Sequence, residues 1–129
     1  MQFSNFLDKY PTYSFTLAKN TTRFNSVDEI IAVLEDKISA DPIACQIAVF
    51  DHHAHTSALP NGEIAENIQA AKSLVFCFGI KLPSPQAMAP RPRSFGVCEL
   101  TDSFVITFMQ APNPQMNEVM QGWVKALAE

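Results

Sequence analysis

The sequence predicts an α+β domain: a mostly antiparallel sheet of about five strands with two main helices packed on one face, in the order β-α-β-β-β-β-α. Three observations point there. Residues 26–41 and 113–127 carry apolar side chains at helical spacing, and both segments open on a capping residue. Between them lie four apolar runs of strand character, at 43–56, 73–82, 95–100 and 104–109. No strong helical stripe separates these runs, so consecutive strands pair antiparallel rather than through long crossovers. At 129 residues the chain has the size of one domain, 1–129, with enough length for a self-sufficient core.

Phe3, Phe6, Leu7 and Tyr10 recur at i, i+3, i+4 and i+7, which predicts a short amphipathic helix ahead of Pro11, with a loosely docked arm as the alternative. Tyr13, Phe15 and Leu17 then alternate with Thr12, Ser14 and Thr16, the pattern of a half-buried strand. Ser26-Val27-Asp28-Glu29 is a capping box, and Ile30, Ile31, Val33, Leu34 and Ile38 form the stripe of the helix it opens. Pro42 ends that helix.

The first strand after it carries the one concentration of chemistry. Ile43, Cys45, Ile47 and Val49 point one way and are expected to form a core face, and the same parity continues through Asp51, His53 and His55. All three histidines of the chain lie within 52–55. A regular strand over 43–56 therefore presents a carboxylate and two imidazoles on one face, a donor set suited to zinc, nickel, iron or copper. His52 and Glu99 are possible additions. The same groups can also move protons near neutral pH. The alternative is that the strand leaves the core after Phe50 and the polar run is solvated.

Pro60-Asn61-Gly62 marks a turn, and 63–71 fits either a short helix or the return arm of a hairpin. The run 74–80 is apolar on both faces. Residues 83–93 carry four prolines with Arg91 and Arg93, a long semi-stiff connection that reads first as a solvated loop, with a lid or an anion-binding flap as the alternative. Thr101-Asp102-Ser103 joins the last two strands as a tight hairpin. Asn113 and Pro114 open the final helix, whose stripe is Met116, Val119, Met120, Trp123, Val124 and Leu127.

Composition removes several functions. The net charge is −4 and the basic residues are scattered apart from Arg91 and Arg93, which argues against a nucleic-acid or anionic-membrane surface. No run approaches the ~18 apolar residues of a membrane span. Cys45, Cys77 and Cys98 are unpaired in spacing and sit in apolar runs, as in a reduced, cytoplasmic protein. A P-loop, a dinucleotide glycine pattern, a Gly-x-Ser-x-Gly elbow and a Cys-x-x-Cys pair are all absent.

The run VFDHH resembles the strand signature of the DHH phosphoesterases, but the likeness stops at 49–53, and no Asp-x-Asp follows. His53-Ala54-His55 resembles the first cupin motif, yet Ile47 stands where that motif has glycine and Leu59 or Pro60 where it has glutamate. The order of elements resembles TATA-binding-protein-like and helix-grip layouts, a likeness that carries no function.

Two helices cover one sheet face, while 74–80 is apolar on both, and only 17% of residues are charged. The second face is therefore expected to meet another copy in a homodimer, unless the proline-rich loop folds over it. The expected function is a small ligand- or partner-binding domain without an evident catalytic motif. The alternative is a transition-metal protein or small metalloenzyme using Asp51, His53 and His55.

Overall fold

The computed structural model describes residues 1–129. Six strands form one antiparallel sheet in the order β1-β2-β6-β5-β4-β3. They are β1 (Gln2–Phe6), β2 (Tyr10–Ala18), β3 (Cys45–Asp51), β4 (Ala70–Cys77), β5 (Arg93–Glu99) and β6 (Ser103–Met109). Three α-helices accompany them: α1 (Val27–Ala40), α2 (His52–Ser57) and α3 (Pro114–Lys125). The α+β class follows the expectation. The sheet gains one strand, and a short helix appears inside the histidine run.

The extra strand replaces the helix expected at the N-terminus. Phe3, Phe6, Leu7 and Tyr10 fit a helical stripe, but the segment instead pairs as a hairpin, Phe6 opposite Tyr10 and Gln2 opposite Ser14. Leu7 and Asp8 take φ of 55° and 59°, and the Lys9 amide donates to the Phe6 carbonyl at 3.2 Å. Positive φ at both central positions is the pattern of the primed hairpin turns, which match strand twist. Leucine is poorly suited to that region. Replacing Leu7-Asp8 by Asn-Gly should raise unfolding stability by about 1 kcal/mol in chemical denaturation.

α1 begins where the capping box places it. The Ser26 hydroxyl accepts from the Glu29 amide at 3.1 Å. The Glu29 carboxylate accepts from the Asn25 amide, one residue earlier than the box predicts. Val27, Ile30, Ile31, Leu34 and Ile38 are buried. Asn113 caps α3 by accepting from the amides of Gln115 and Met116. Met120, Val124 and Leu127 enter the core, but Val119 is exposed. Asn117 takes an inward place in its stead: its amide donates to the Tyr13 hydroxyl at 3.1 Å, and its carbonyl oxygen accepts from the Ala111 amide at 3.0 Å. This buried amide ties α3 to β2 and to the segment after β6.

The core lies between the two long helices and one sheet face. Its centre is aromatic: Phe95 stacks on Phe76 at 4.9 Å and meets Phe108 edge-on at 5.4 Å and Trp123 at 6.4 Å. Phe76, Phe95, Phe104, Leu74, Val97 and Ile106 are fully buried.

The opposite face is chemically different. Register places Ser14, Thr16, Thr107, Val105, Gly96, Cys98, Ser73, Val75 and Cys77 there, with Cys45, Ala48 and Phe50 on β3. None of these is charged. α2 sits at one margin, where His52 Nε2 lies 2.8 Å from Ser73 Oγ. Both ion pairs of the chain, Lys19–Glu99 and Lys72–Asp28, lie on the helix side.

Burial holds the Cys98 thiol above its ordinary pKa. The hydrogen bond from Lys72 to Asp28 chiefly holds that amine above its own, against opposing desolvation. Both shifts are upward, so both contributions to stability are complete below the unfolded-state pKa and lost as pH rises through the folded one. Stability should therefore decline as pH rises past the ordinary thiol range, with the lysine amine adding to the loss at still higher pH. Replacing Cys98 by serine should flatten the first part of a plot of denaturation midpoint against pH.

Candidate functional site

The histidine run does not continue as a strand. β3 stops at Asp51, and its carboxylate caps α2 by accepting from the Ala54 amide at 2.8 Å. Asp is itself a favoured N-cap residue, a signal that the alternation of the preceding residues hides. Helical geometry then splits the three imidazoles: His52 and His55, three residues apart, both pack on the Phe50 ring, at 4.8 and 5.5 Å, and His53 lies apart from them. His52 also turns to Ser73, and His53 lies 3.5 Å from the Ser57 hydroxyl. The expected shared strand face of Asp51, His53 and His55 does not form. No three His, Cys, Asp or Glu side chains come together in a cluster able to hold a metal ion. Glu99 lies two strands across and two residues along the sheet from Asp51, roughly 12 Å away, and is engaged by Lys19 at 2.7 Å. The expectation that β3 presents a core face is also corrected. β3 is an edge strand with Ile47, Val49 and Phe50 exposed, and a register shift between Gln46 and Ala48 interrupts its parity.

A cleft of about 450 Å³ opens at the other end of the sheet. The chain leaving β4 forms one wall, the proline-rich loop a second, and the start of α3 a third. The loop contains a 3-10 turn, Pro85–Met88. Phe78, Ile80, Ala87, Ala111 and Met116 give the cleft an apolar lining, and Lys81, Arg91 and Arg93 bring three cations. No carboxylate lines it.

The two arginines are held by main-chain oxygens. Arg91 donates to the Lys81 carbonyl at 2.5 Å. Arg93 pairs with Phe76 in register, so it points to the helix side, where its guanidinium donates to the Pro90 and Met109 carbonyls. Its Nε–H is buried and has no acceptor. Burial pushes the guanidinium pKa down, but an arginine starts so high that it stays protonated. A half-buried cation without a counter-charge is unfavourable unless an anion joins it.

Gly79 makes room for this arrangement. A Cβ built there would stand 2.6 Å from both Cζ and Nη2 of Arg91. The backbone at Gly79 is thus the floor on which the guanidinium rests. The sequence marks the Arg-Pro-Arg end of the loop as a concentration of charge. It gives no sign that Gly79 and Lys81, from the stretch after β4, and Met116, from α3, meet there, because separate segments supply them.

Fold and site together define a small α+β domain with a cationic, apolar-lined cleft and an uncharged sheet face. The chain matches, over residues 1–129, the model of a family described as a family of unknown function, DUF6858, and it belongs to that family. No curated protein matches it. No helix is long and apolar enough to cross a membrane.

Proposed function

We propose that the domain is a non-catalytic binding module that takes a small anion with an apolar body in the cleft under the proline-rich loop. The observation that carries this reading is the buried Arg93 Nε–H without an acceptor, in a cleft that holds three cations and no carboxylate. A carboxylate, sulfonate or phosphate oxygen meets both needs, as acceptor and as counter-charge. The apolar lining suits the rest of such a molecule, and the volume lies in the range of small-ligand sites.

Anilinonaphthalene sulfonate is a suitable probe, with neutral phenylnaphthylamine as its uncharged counterpart. The sulfonate should bind saturably at one site per chain and weaken as salt rises. Equal binding of the neutral dye, or binding indifferent to salt, removes the anion reading.

The module is further proposed to work as a homodimer, joined through the uncharged sheet face. Charged residues are depleted at the centres of interfaces, and a neutral face meets no like-charge repulsion across a two-fold axis. Six strands about 4.8 Å apart and about seven residues long make a face on the order of 700 Å², close to the roughly 800 Å² per partner of a standard interface. Sedimentation at micromolar concentration should give twice the 14.3 kDa chain mass. Thr107→Lys, at the middle of the face, should return the monomer. A wild-type mass of one chain excludes the dimer.

A further inference from the structure

We propose that Cys45 and Cys77 form a cross-strand thiol pair that closes reversibly into a disulfide on exposure to a hydroperoxide. The two residues are direct partners in the β3–β4 register, so their side chains leave the sheet on the same face. Directly opposed residues in antiparallel strands have Cα atoms roughly 4.5–5.5 Å apart. That lies within the 4.4–6.8 Å span of disulfides, and the two Cβ atoms start about 4.5–5.5 Å apart. Bonding needs them to close by at most about 1–2 Å. The place where that movement can occur is on the page: β3 is an edge strand, free on one side, and its register shifts immediately after Gln46.

Access and chemistry agree. Cys45 is exposed and Cys77 half-buried, and as the first residue of edge strand β3 and the last of β4 they sit at an outer corner of the sheet face, at the rim of the proposed dimer contact rather than its centre. The Cys45 thiol donates only to the carbonyl of its neighbour Gln46, at 3.5 Å, and no structural bond has to break. The third cysteine is out of range. Cys98 lies opposite Ala71, six residues along β4 from Cys77, which is roughly 20 Å of strand.

The reaction balances with the hydroperoxide as oxidant. The Cys45 thiolate attacks one peroxide oxygen, the O–O bond breaks, and a sulfenic acid forms as the other oxygen leaves and takes a proton. The Cys77 sulfur then attacks the Cys45 sulfur, the S–O bond breaks, and that oxygen departs as water. Two thiols lose two electrons together, and hydrogen peroxide becomes two waters. A dithiol reductant reverses the step by thiol–disulfide exchange. The proposal does not depend on the cleft or on what it binds.

The test is titration of the full, reduced chain with hydrogen peroxide, followed by alkylation under denaturing conditions and peptide mapping without reductant. The expected product carries one alkylated cysteine, Cys98, and a peptide joining Cys45 to Cys77. Dithiothreitol should restore three alkylated cysteines. Cys98→Ser should oxidise like the wild type, whereas Cys45→Ser and Cys77→Ser should each yield no intramolecular disulfide. Three free thiols after oxidation, a terminal sulfinate at Cys45, a bridge to Cys98, or a bridge between two chains would each overturn the proposal. Because the mapping is done on the wild-type chain, the result stands even if a serine variant folds poorly.

Discussion

Phe95→Ala should lower unfolding stability by about 3–5 kcal/mol, the cost of deleting a fully buried phenylalanine. Two features put the effect at the upper end of the usual range for single substitutions. First, Phe95 is completely inaccessible and touches Phe76, Phe108 and Trp123, so its ring joins three strands and α3. Second, these neighbours are themselves large, rigid and held in the sheet or helix, so the void cannot close by a simple rotamer change. A domain of this size typically has about 5–15 kcal/mol in all, so the variant should melt many degrees lower and expose its tryptophan. Urea denaturation followed by Trp123 fluorescence checks it. A loss under about 1 kcal/mol would mean that the aromatic cluster is not packed as described.

The Arg91→Gln/Arg93→Gln double variant should weaken binding of the sulfonate dye on the order of 100-fold, with little effect on phenylnaphthylamine. Hydrogen bonds to a charged partner contribute about 1.5–3 kcal/mol each, and every 1.4 kcal/mol is about tenfold in affinity. Glutamine keeps some capacity to satisfy the main-chain carbonyls that hold the arginines, so loss of charge is tested more than loss of the loop. Gly79→Ala gives an independent check without removing any cation. Its new methyl group would occupy the position of the Arg91 guanidinium, a flexible tip that can swing away at small cost to the fold. The melting temperature should barely move, while sulfonate affinity should fall about tenfold, the equivalent of one such interaction. Unchanged affinity in both variants, measured by fluorescence titration, would exclude the cleft as the anion site.

Much of the fold is legible in the sequence because local and tertiary preferences agree there. The boundaries of α1 and α3 follow from Ser26 and Asn113, whose side chains do cap them, and from stripes that do face the core. The strands of β5 and β6 follow from alternation bounded by a turn. The misreadings fall where one pattern supports two structures. Phe3, Phe6, Leu7 and Tyr10 suit a helix by spacing, yet β2 offers the segment a strand to pair with, and Phe3 gains an edge-on contact with Tyr13 at 5.0 Å. Tertiary pairing overrides the local period. Asp51 suits both a ligand and a cap, and the amide of Ala54 takes its oxygen first. Val119 fits the α3 stripe by angle, but Asn117 turns inward because the Ala111 amide and the Tyr13 hydroxyl need a partner in the core.

The cleft is legible only in part for a different reason. Arg91 and Arg93 are neighbours in sequence, and their loop is visibly unusual. Lys81, Ala111 and Met116 reach the same space from other segments, and their convergence is a property of the folded sheet alone. The uncharged face is similarly distributed. Each strand contributes only a few serines, threonines, cysteines and small apolar residues, and no single stretch reads as a surface.

The strand order also separates the chain into parts with different histories. From β3 to β6 each strand pairs with its successor, so that sheet is a meander assembled from near neighbours. β2 instead pairs with β6, joining residues 12–18 to 103–109 across most of the chain. Closing that seam carries the largest loop entropy in the molecule, and contacts of long sequence separation are the slow ones to form. The N-terminal hairpin should therefore dock last, onto a meander that already exists. At high concentration, before the seam closes, β6 is an open edge that accepts the same hairpin from a neighbouring chain. Refolding in concentrated solution should consequently yield strand-exchanged oligomers, whereas refolding in dilute solution should yield the self-paired sheet.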